Sequence, residues 1–155
     1  MFFRFSKTIW ARTSHSCYMA KDNDSTVWPI LTYRDARAAI AFLRDAFGFE
    51  ENAVYARDDD STIIEHAEMS WPLGGGVMLG TAGKDDSPFG QRVPGNDAVY
   101  VVCDEPDGIF AHATAAGAQV ARELIGEGYG SRGFTVRDPE GNLWSFGTYR
   151  GSRDG

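Results

Sequence analysis

The sequence predicts an α+β fold built from two βαβββ modules, whose curved mixed sheet forms a cup with helices on its outer face. Three observations carry this reading. First, a strand–helix–strand pattern recurs at a constant offset of 69 residues, aligning Asp35 with Asp104, Ile40 with Ile109, Ala46 with Ala115 and Gly48 with Gly117. A single repetition means two copies of one supersecondary unit, because a solenoid needs at least three. Second, two helices cannot cover both faces of eight strands, so one concave sheet face is left for a ligand or a partner. Third, the chain closes with SRGFTVRDPEGNLWSFGTY (residues 131–149), two alternating strands joined at Asp138-Pro139-Glu140-Gly141. Pro at the second turn position and Gly at the fourth are what a type I turn prefers.

Taken in order, Val27–Tyr33 (VWPILTY) reads as a strand. Asp35 caps a helix, DARAAIAFLRDAF, with Ile40, Phe42, Leu43, Ala46 and Phe47 on one face and Gly48 ending it. Strand patterns follow at Glu51–Arg57, Thr62–Trp71 and Gly76–Gly80, punctuated by Asp58-Asp59-Asp60 and by Pro72-Leu73-Gly74-Gly75. The Gly/Pro/Asp-rich stretch 81–96 is a linker between modules 27–80 and 97–149, or a lid with Phe89 near its middle. Ala98–Cys103 restarts the pattern, Asp104 leads into the helix EPDGIFAHATAAG, and Gln119–Ile125 precedes the closing hairpin.

At 155 residues the chain suits one domain, and 43% hydrophobic with 13% aromatic residues is ordinary for a folded protein. Residues 1–21 carry Arg4, Lys7, Arg12 and Lys21 with no acid, which leaves −11 on the remainder of a chain of net charge −7. An acidic body argues against nucleic acid as a partner, since that affinity comes mainly from Lys and Arg on phosphates. No apolar run is long enough for a membrane span. Cys17 and Cys103 make no disulfide framework, so a cytoplasmic setting is expected. Residues 1–26 read as an extension outside the fold, with a faint transit-peptide composition, and 150–155 as a tail.

The paired βαβββ units, YRDARAAIAFLRDAFGF after the first strand and YGSRGFTVRDPEGNLWSFGTY at the end resemble the vicinal oxygen chelate superfamily. That superfamily includes glyoxalase I, extradiol dioxygenases and bleomycin-resistance proteins. The resemblance covers residues 27–149 and implies the glyoxalase-type cup, a small-molecule ligand and a homodimer. Whether modules pair within one chain or swap across a dimer stays open. Metal-dependent members bind a divalent ion through a His, Gln or Glu on each of four strands. Carried over, those positions fall at Trp28, Leu79, Ala98 (or Asp97 one residue earlier) and Ser145. Trp, Leu and Ala offer a hard cation no lone pair, so no metal or other cofactor is expected, as in the bleomycin-resistance-like branch.

The same mapping, with side chains alternating along strands, orients Trp28, Ile30, Thr32, Val77, Leu79, Ala98, Tyr100, Val102, Leu143 and Ser145 into the cup. It turns Trp144 and Phe146 toward the helices. Counting back across the closing turn pairs Val136 with Leu143 and Phe134 with Ser145, adding both to the cup. Met69 and Met78 fall on the helix side.

Polar candidates are few. His66 and Glu68, two apart in TIIEHAEMSW, share one face. With a turn at 72–75, Glu68 stands opposite Leu79 and both enter the cup, whereas a one-residue slip leaves them on a solvent-facing edge. A His beside a carboxylate can serve as general base or as an orienting pair. Arg132, near Tyr129 and Ser131, can clamp an anionic group at the rim, or else lies on a surface or dimer contact. His112 on the second helix, His15 in the extension and Cys103, alternating away from the cup, read as non-catalytic. Leu73–Gly76 reads as a turn and not a phosphate cradle, since neither a Lys-Ser/Thr nor a helix follows. The expected function is metal-free binding of a hydrophobic or aromatic molecule, as in drug sequestration. The alternative is a lyase or dioxygenase-type enzyme, metal-dependent or using His66 and Glu68.

Overall fold

The computed structural model describes residues 25–84 and 86–152. The expected extension therefore lies, up to residue 24, outside the described residues, as do His15, Cys17 and residues 153–155. Among the described residues eight strands and two helices follow the predicted order. The first module holds β1 (Ile30–Tyr33), α1 (Ala36–Phe42, widening into a π turn over Leu43–Phe47), β2 (Glu50–Ala56), β3 (Ile64–Ser70) and β4 (Gly76–Thr81). The second holds β5 (Ala98–Val102), α2 (Pro106–Ala115), β6 (Gln119–Gly126), β7 (Arg132–Arg137) and β8 (Leu143–Gly147). The Asp35 carboxylate accepts from the Ala38 N–H at 3.0 Å, capping α1 as expected. α2 starts with Pro106 at its first position, where a missing N–H costs nothing.

Each module makes a four-stranded mixed sheet, ordered β1-β4-β3-β2 and β5-β8-β7-β6, with β1 parallel to β4 and β5 parallel to β8. One face of each sheet is covered and the other open, the α+β arrangement expected. Among the described residues no ladder joins the two sheets; their covered faces meet through one shared core. Leu31, Tyr33, Ala67, Met69, Val77 and Leu79 enter it from the first sheet, and Val101, Cys103, Phe134, Val136, Trp144 and Phe146 from the second. Phe47, at the end of the first helix, places its ring 5.4 Å from Trp144 and 4.7 Å from Phe146. Phe49 lies 4.9 Å from Trp71 and 5.7 Å from Trp144, and the Trp71 indole N–H donates to the Val102 carbonyl at 2.8 Å. The helices pack against the covered faces and against each other, and the open faces stay free of them.

Two registers differ from expectation by one residue. Trp71 N–H donates to the Gly75 carbonyl at 2.9 Å, so the β3–β4 loop holds three residues and pairs Glu68 with Met78 and Ala67 with Leu79. Val77 and Leu79 therefore face the core, and Met78 faces the open side. In the closing hairpin, Asp138 N–H donates to the Asn142 carbonyl at 3.0 Å, and Gly141 sits at a φ of 101°. A type I turn followed by a left-handed residue adds one position to the loop. Thr135 accordingly pairs with Ser145, Phe134 with Phe146 and Val136 with Trp144. Phe134 and Val136 are core, not cup.

The turn also ties the modules together. Asp138 is buried, and its Oδ2 accepts from the Tyr33 hydroxyl at 2.7 Å, the Trp144 indole N–H at 3.0 Å and the Asn142 amide at 3.0 Å. Its Oδ1 accepts from the N–H groups of Glu140 and Asn142. Glu140 in turn accepts from the backbone N–H groups of Arg34 at 2.6 Å and Asp35 at 3.0 Å, and Asn142 Oδ1 accepts from Asp97 N–H at 3.0 Å. Burial, followed by the neighbouring Asp138 carboxylate, pushes the Tyr33 phenol well above its ordinary value.

Replacing Asp138 by Ala should cost about 3 kcal/mol or more in urea unfolding, because three buried donors lose their acceptor at about 1 kcal/mol or more each. A loss below about 1 kcal/mol would contradict the arrangement. The raised Tyr33 pKa has a sign: the folded chain keeps a proton that the unfolded chain releases. Stability present below about pH 10 is lost as pH rises beyond it. Unfolding free energy measured against pH should fall more steeply above about pH 10 in the parent than in Tyr33→Phe. Parallel profiles would show that Tyr33 carries no such linkage.

Candidate functional site

The open face of the first sheet gathers side chains from all four of its strands and from the segment leading into β1. Trp28 lies across Gly76, where an added Cβ would stand 2.6 Å from the indole ring; only glycine lets the ring lie flat on the strand. The Trp28 N–H donates to the Ser25 carbonyl at 3.1 Å. Ile30 and Met78 are directly paired on β1 and β4, and Met78 neighbours Glu68 on β3. His66 and Glu68 do share this face. Glu68 Oε1 is 3.0 Å from His66 Nε2, and its Oε2 accepts from the Asn52 amide at 3.0 Å. The Tyr55 ring stacks on the His66 ring at 6.2 Å, with 24° between their planes. Hydrogen bonds from His66 first, then from Asn52, hold the Glu68 carboxyl below its usual range.

The stretch expected as a linker or lid folds back over this face. Thr32 is buried because its hydroxyl donates to the Phe89 carbonyl at 2.8 Å. Lys84 reaches in beside Gly80 and donates to the Glu65 carbonyl at 3.1 Å, with its side chain only 9% exposed. A cavity of about 150 Å³ remains beneath, lined by Ile30, Thr32, His66, Met78, Lys84 and Phe89 among others.

The open face of the second sheet carries Tyr100, Leu143, Ser145 and Thr135. Ser145 and Thr135 share a hydroxyl–hydroxyl hydrogen bond of 2.7 Å, and the Tyr100 hydroxyl donates to the Tyr149 carbonyl at 2.8 Å. Between the modules, Pro29, Trp71, Gly76, Val99, Tyr100 and Arg150 line part of a cleft of about 480 Å³.

Of the expected cup residues, Trp28, Ile30, Thr32, His66 and Glu68 come together on the first face, and Tyr100, Leu143 and Ser145 on the second. Three do not fit. Leu79 is core, for the register reason given above. Phe134 is buried against Phe110 and Phe146, at 5.1 Å and 5.4 Å. Arg132 points to the covered side, where its guanidinium grips the Asp107 carboxylate at the start of α2 through Nη2 at 2.7 Å and Nε at 2.9 Å. It is no rim clamp. Met78, Tyr55, Asn52, Thr135 and Lys84 were missed. The first four follow once the registers are known, but Lys84 depends on a loop fold that no local pattern encodes. His112 sits in the last turn of α2. The Cys103 thiol is buried, and desolvation pushes it up to about 11, far from a nucleophile's range.

The donors at the four carried-over metal positions do not make a centre. Trp28 and Ala98 offer none, the fourth-strand position shows Met78 or Leu79, and Ser145 is spent on Thr135. Asp97 is held by Arg92 at 2.5 Å. Among the described residues no three His, Cys, Asp or Glu side chains cluster as metal ligands. None of their helices is long and apolar enough to cross a membrane.

Comparison with known proteins agrees with this architecture. A family model for the Glyoxalase/Bleomycin resistance protein/Dioxygenase superfamily matches residues 25–146. The structure is similar to that of TioX from Micromonospora sp. ML1, with a TM-score of 0.64 and 30% identity over 78% of this chain and 97% of that one. An integron cassette protein from the mobile metagenome of V. cholerae gives a TM-score of 0.57 at 19% identity, covering 81% of this chain and 96% of its own. A point mutant of the fosfomycin resistance protein FosX from Listeria monocytogenes, in complex with Mn(II) and 1S,2S-dihydroxypropylphosphonic acid, gives 0.56 at 16%, covering 81% and 93%. At these two lower identities the likeness is one of fold alone. No curated protein sequence matches significantly. With most of its length matched by the family model, the chain belongs to the glyoxalase/bleomycin resistance protein/dioxygenase superfamily.

Proposed function

We propose that the protein binds a small, flat, mainly apolar or aromatic molecule on its open sheet faces without a metal ion. The observation that carries this reading is the first open face. Ile30 and Met78 line the cavity with Phe89 and Lys84, Trp28 lies against Gly76 and Tyr55 against His66, and a polar cluster, Asn52–Glu68–His66, stands at the side. Apolar walls with a few placed polar groups are the usual make-up of a small-molecule site. FosX is described with Mn(II), whereas the donor set of this chain offers no comparable cage among the described residues. Sequestration of a drug-like compound, as the family description's bleomycin resistance suggests, fits a binder of this kind in the cytoplasm.

Two copies of the chain complete the site in this reading. Each open face is built by one module, and in this reading the second sheet of a partner stands opposite the first as the other wall of the cup. Exposed apolar side chains sit where that contact would form: Ile30 is 38% exposed, Tyr100 49% and Ile125 43%. A self-complementary pairing of this sort has two-fold symmetry. The second reading, a lyase or dioxygenase-type enzyme, is favoured only by the His66–Glu68 pair.

Three measurements check these statements. A thermal-shift screen with planar aromatic compounds should find stabilising ligands, a compound at 100 times its Kd adding about 2.7 kcal/mol; no shift across a broad set would sink the binding reading. Metal analysis after purification without chelator should find no stoichiometric divalent ion, and a bound ion with activity lost on chelation would favour the enzyme. Light scattering at micromolar concentration should give twice 17.0 kDa, and a monomer would remove the shared cup.

A further inference from the structure

On the first face His66 carries a ring nitrogen that makes no hydrogen bond among the described residues. That nitrogen is Nδ1, since Nε2 is engaged by Glu68. No buried side-chain nitrogen or oxygen of those residues lacks a partner, so Nδ1 reaches solvent. The tautomer follows from the neighbour. An ionised carboxylate only accepts, so Glu68, itself pinned by the Asn52 amide at 3.0 Å, requires Nε2 to carry the proton. In neutral His66 the Nδ1 lone pair is then the acceptor left open toward the ligand. Stacking on Tyr55 fixes the plane of the ring, and with it the direction of that lone pair.

The other groups around the ring do not compete. On β3, Glu65 is occupied by Arg57 Nε at 2.6 Å and by Lys84 Nζ at 3.4 Å. Lys84 spends its remaining contacts on the carbonyls of Glu65 and Ile64. Tyr55 and Asn52 come from β2, and the β4 neighbours Met78 and Gly80 bear no charge.

We infer that His66 Nδ1 is the polar anchor of the first face, selecting aromatic ligands that bear a hydroxyl donor. This rests on the reading of that face as an aromatic-ligand site and supplies its specificity. Glu68 and Asn52 are positioning residues that hold the tautomer. Glu68 keeps its acceptor role because the hydrogen bonds from His66 and Asn52 hold its carboxyl low.

The test uses two naphthalenes of similar shape, 2-naphthol and 2-methoxynaphthalene, titrated into the full chain by calorimetry at about pH 8. 2-Naphthol should bind about five- to tenfold tighter than its methyl ether, the value of one hydrogen bond in a half-buried site. His66→Phe keeps a ring against Tyr55 and should bring the ratio to one. Glu68→Gln frees the tautomer and should lower the ratio severalfold. Equal binding of naphthol and ether, or a ratio unchanged in His66→Phe, overturns the anchor while leaving the face as a ligand site. Failure of both compounds to bind overturns the aromatic-ligand reading and the anchor with it.

Discussion

The Asp138 carboxylate is the constraint on which the rest of the molecule depends. Five donors converge on it, from the β1 residue Tyr33, from Trp144 on β8 and from its own turn. A buried charge is tolerated only when it is this fully satisfied. The residues beside it complete the tie: Glu140 fixes the entry to α1, and Asn142 fixes the entry to β5. One short turn thereby keys β1, β5 and β8 to each other. Those strands carry Ile30, Thr32, Tyr100, Leu143 and Ser145, so the position of both open faces traces back to one buried acid.

The sequence was most legible where local chemistry decides the outcome. The Asp35 cap, the Gly48 stop and the order of elements need only neighbours within a few residues. The carried-over family positions anchor the alternation of β1, β5 and β8 on the observed face, whereas on β4 the same step lands one residue late, at Leu79. On β7 the reason is the turn: the 138–142 connection encloses three residues, one more than the tight turn assumed. A slip of one residue exchanges the faces of a strand. Leu79 and Phe134 went from wall to core, and Met78 and Thr135 took their places. His66 and Glu68 kept their face because the orientation assigned to β4 shifted together with its register. Arg132 failed differently, since its ion pair with Asp107 joins residues 25 apart in sequence and no period reports it.

The division of labour between the two sides of each sheet explains the composition. Of the four tryptophans in the chain, Trp71 and Trp144 build the shared core while Trp28 is spent on an open face. Aromatic content alone cannot separate these uses, because both demand large flat surfaces. The folded-back stretch over the first face was the least legible part. Its anchors, the Thr32 hydroxyl and the carbonyls met by Lys84, are long-range contacts to backbone atoms that carry no residue signature.

The shared core has a consequence for how such a repeat can change. A single module separated from its twin would present Phe47, Phe49 and Trp71, or Phe134, Trp144 and Phe146, to water, so neither half is a viable unit. The two open faces, in contrast, are each built by one module and share no side chain. Cohesion is joint and recognition is divided. A substitution at Trp28 or Met78 can retune one face while leaving the other untouched, whereas one at Phe47 is felt by both. Duplicated architecture of this kind lets binding surfaces drift apart under a common requirement to stay folded.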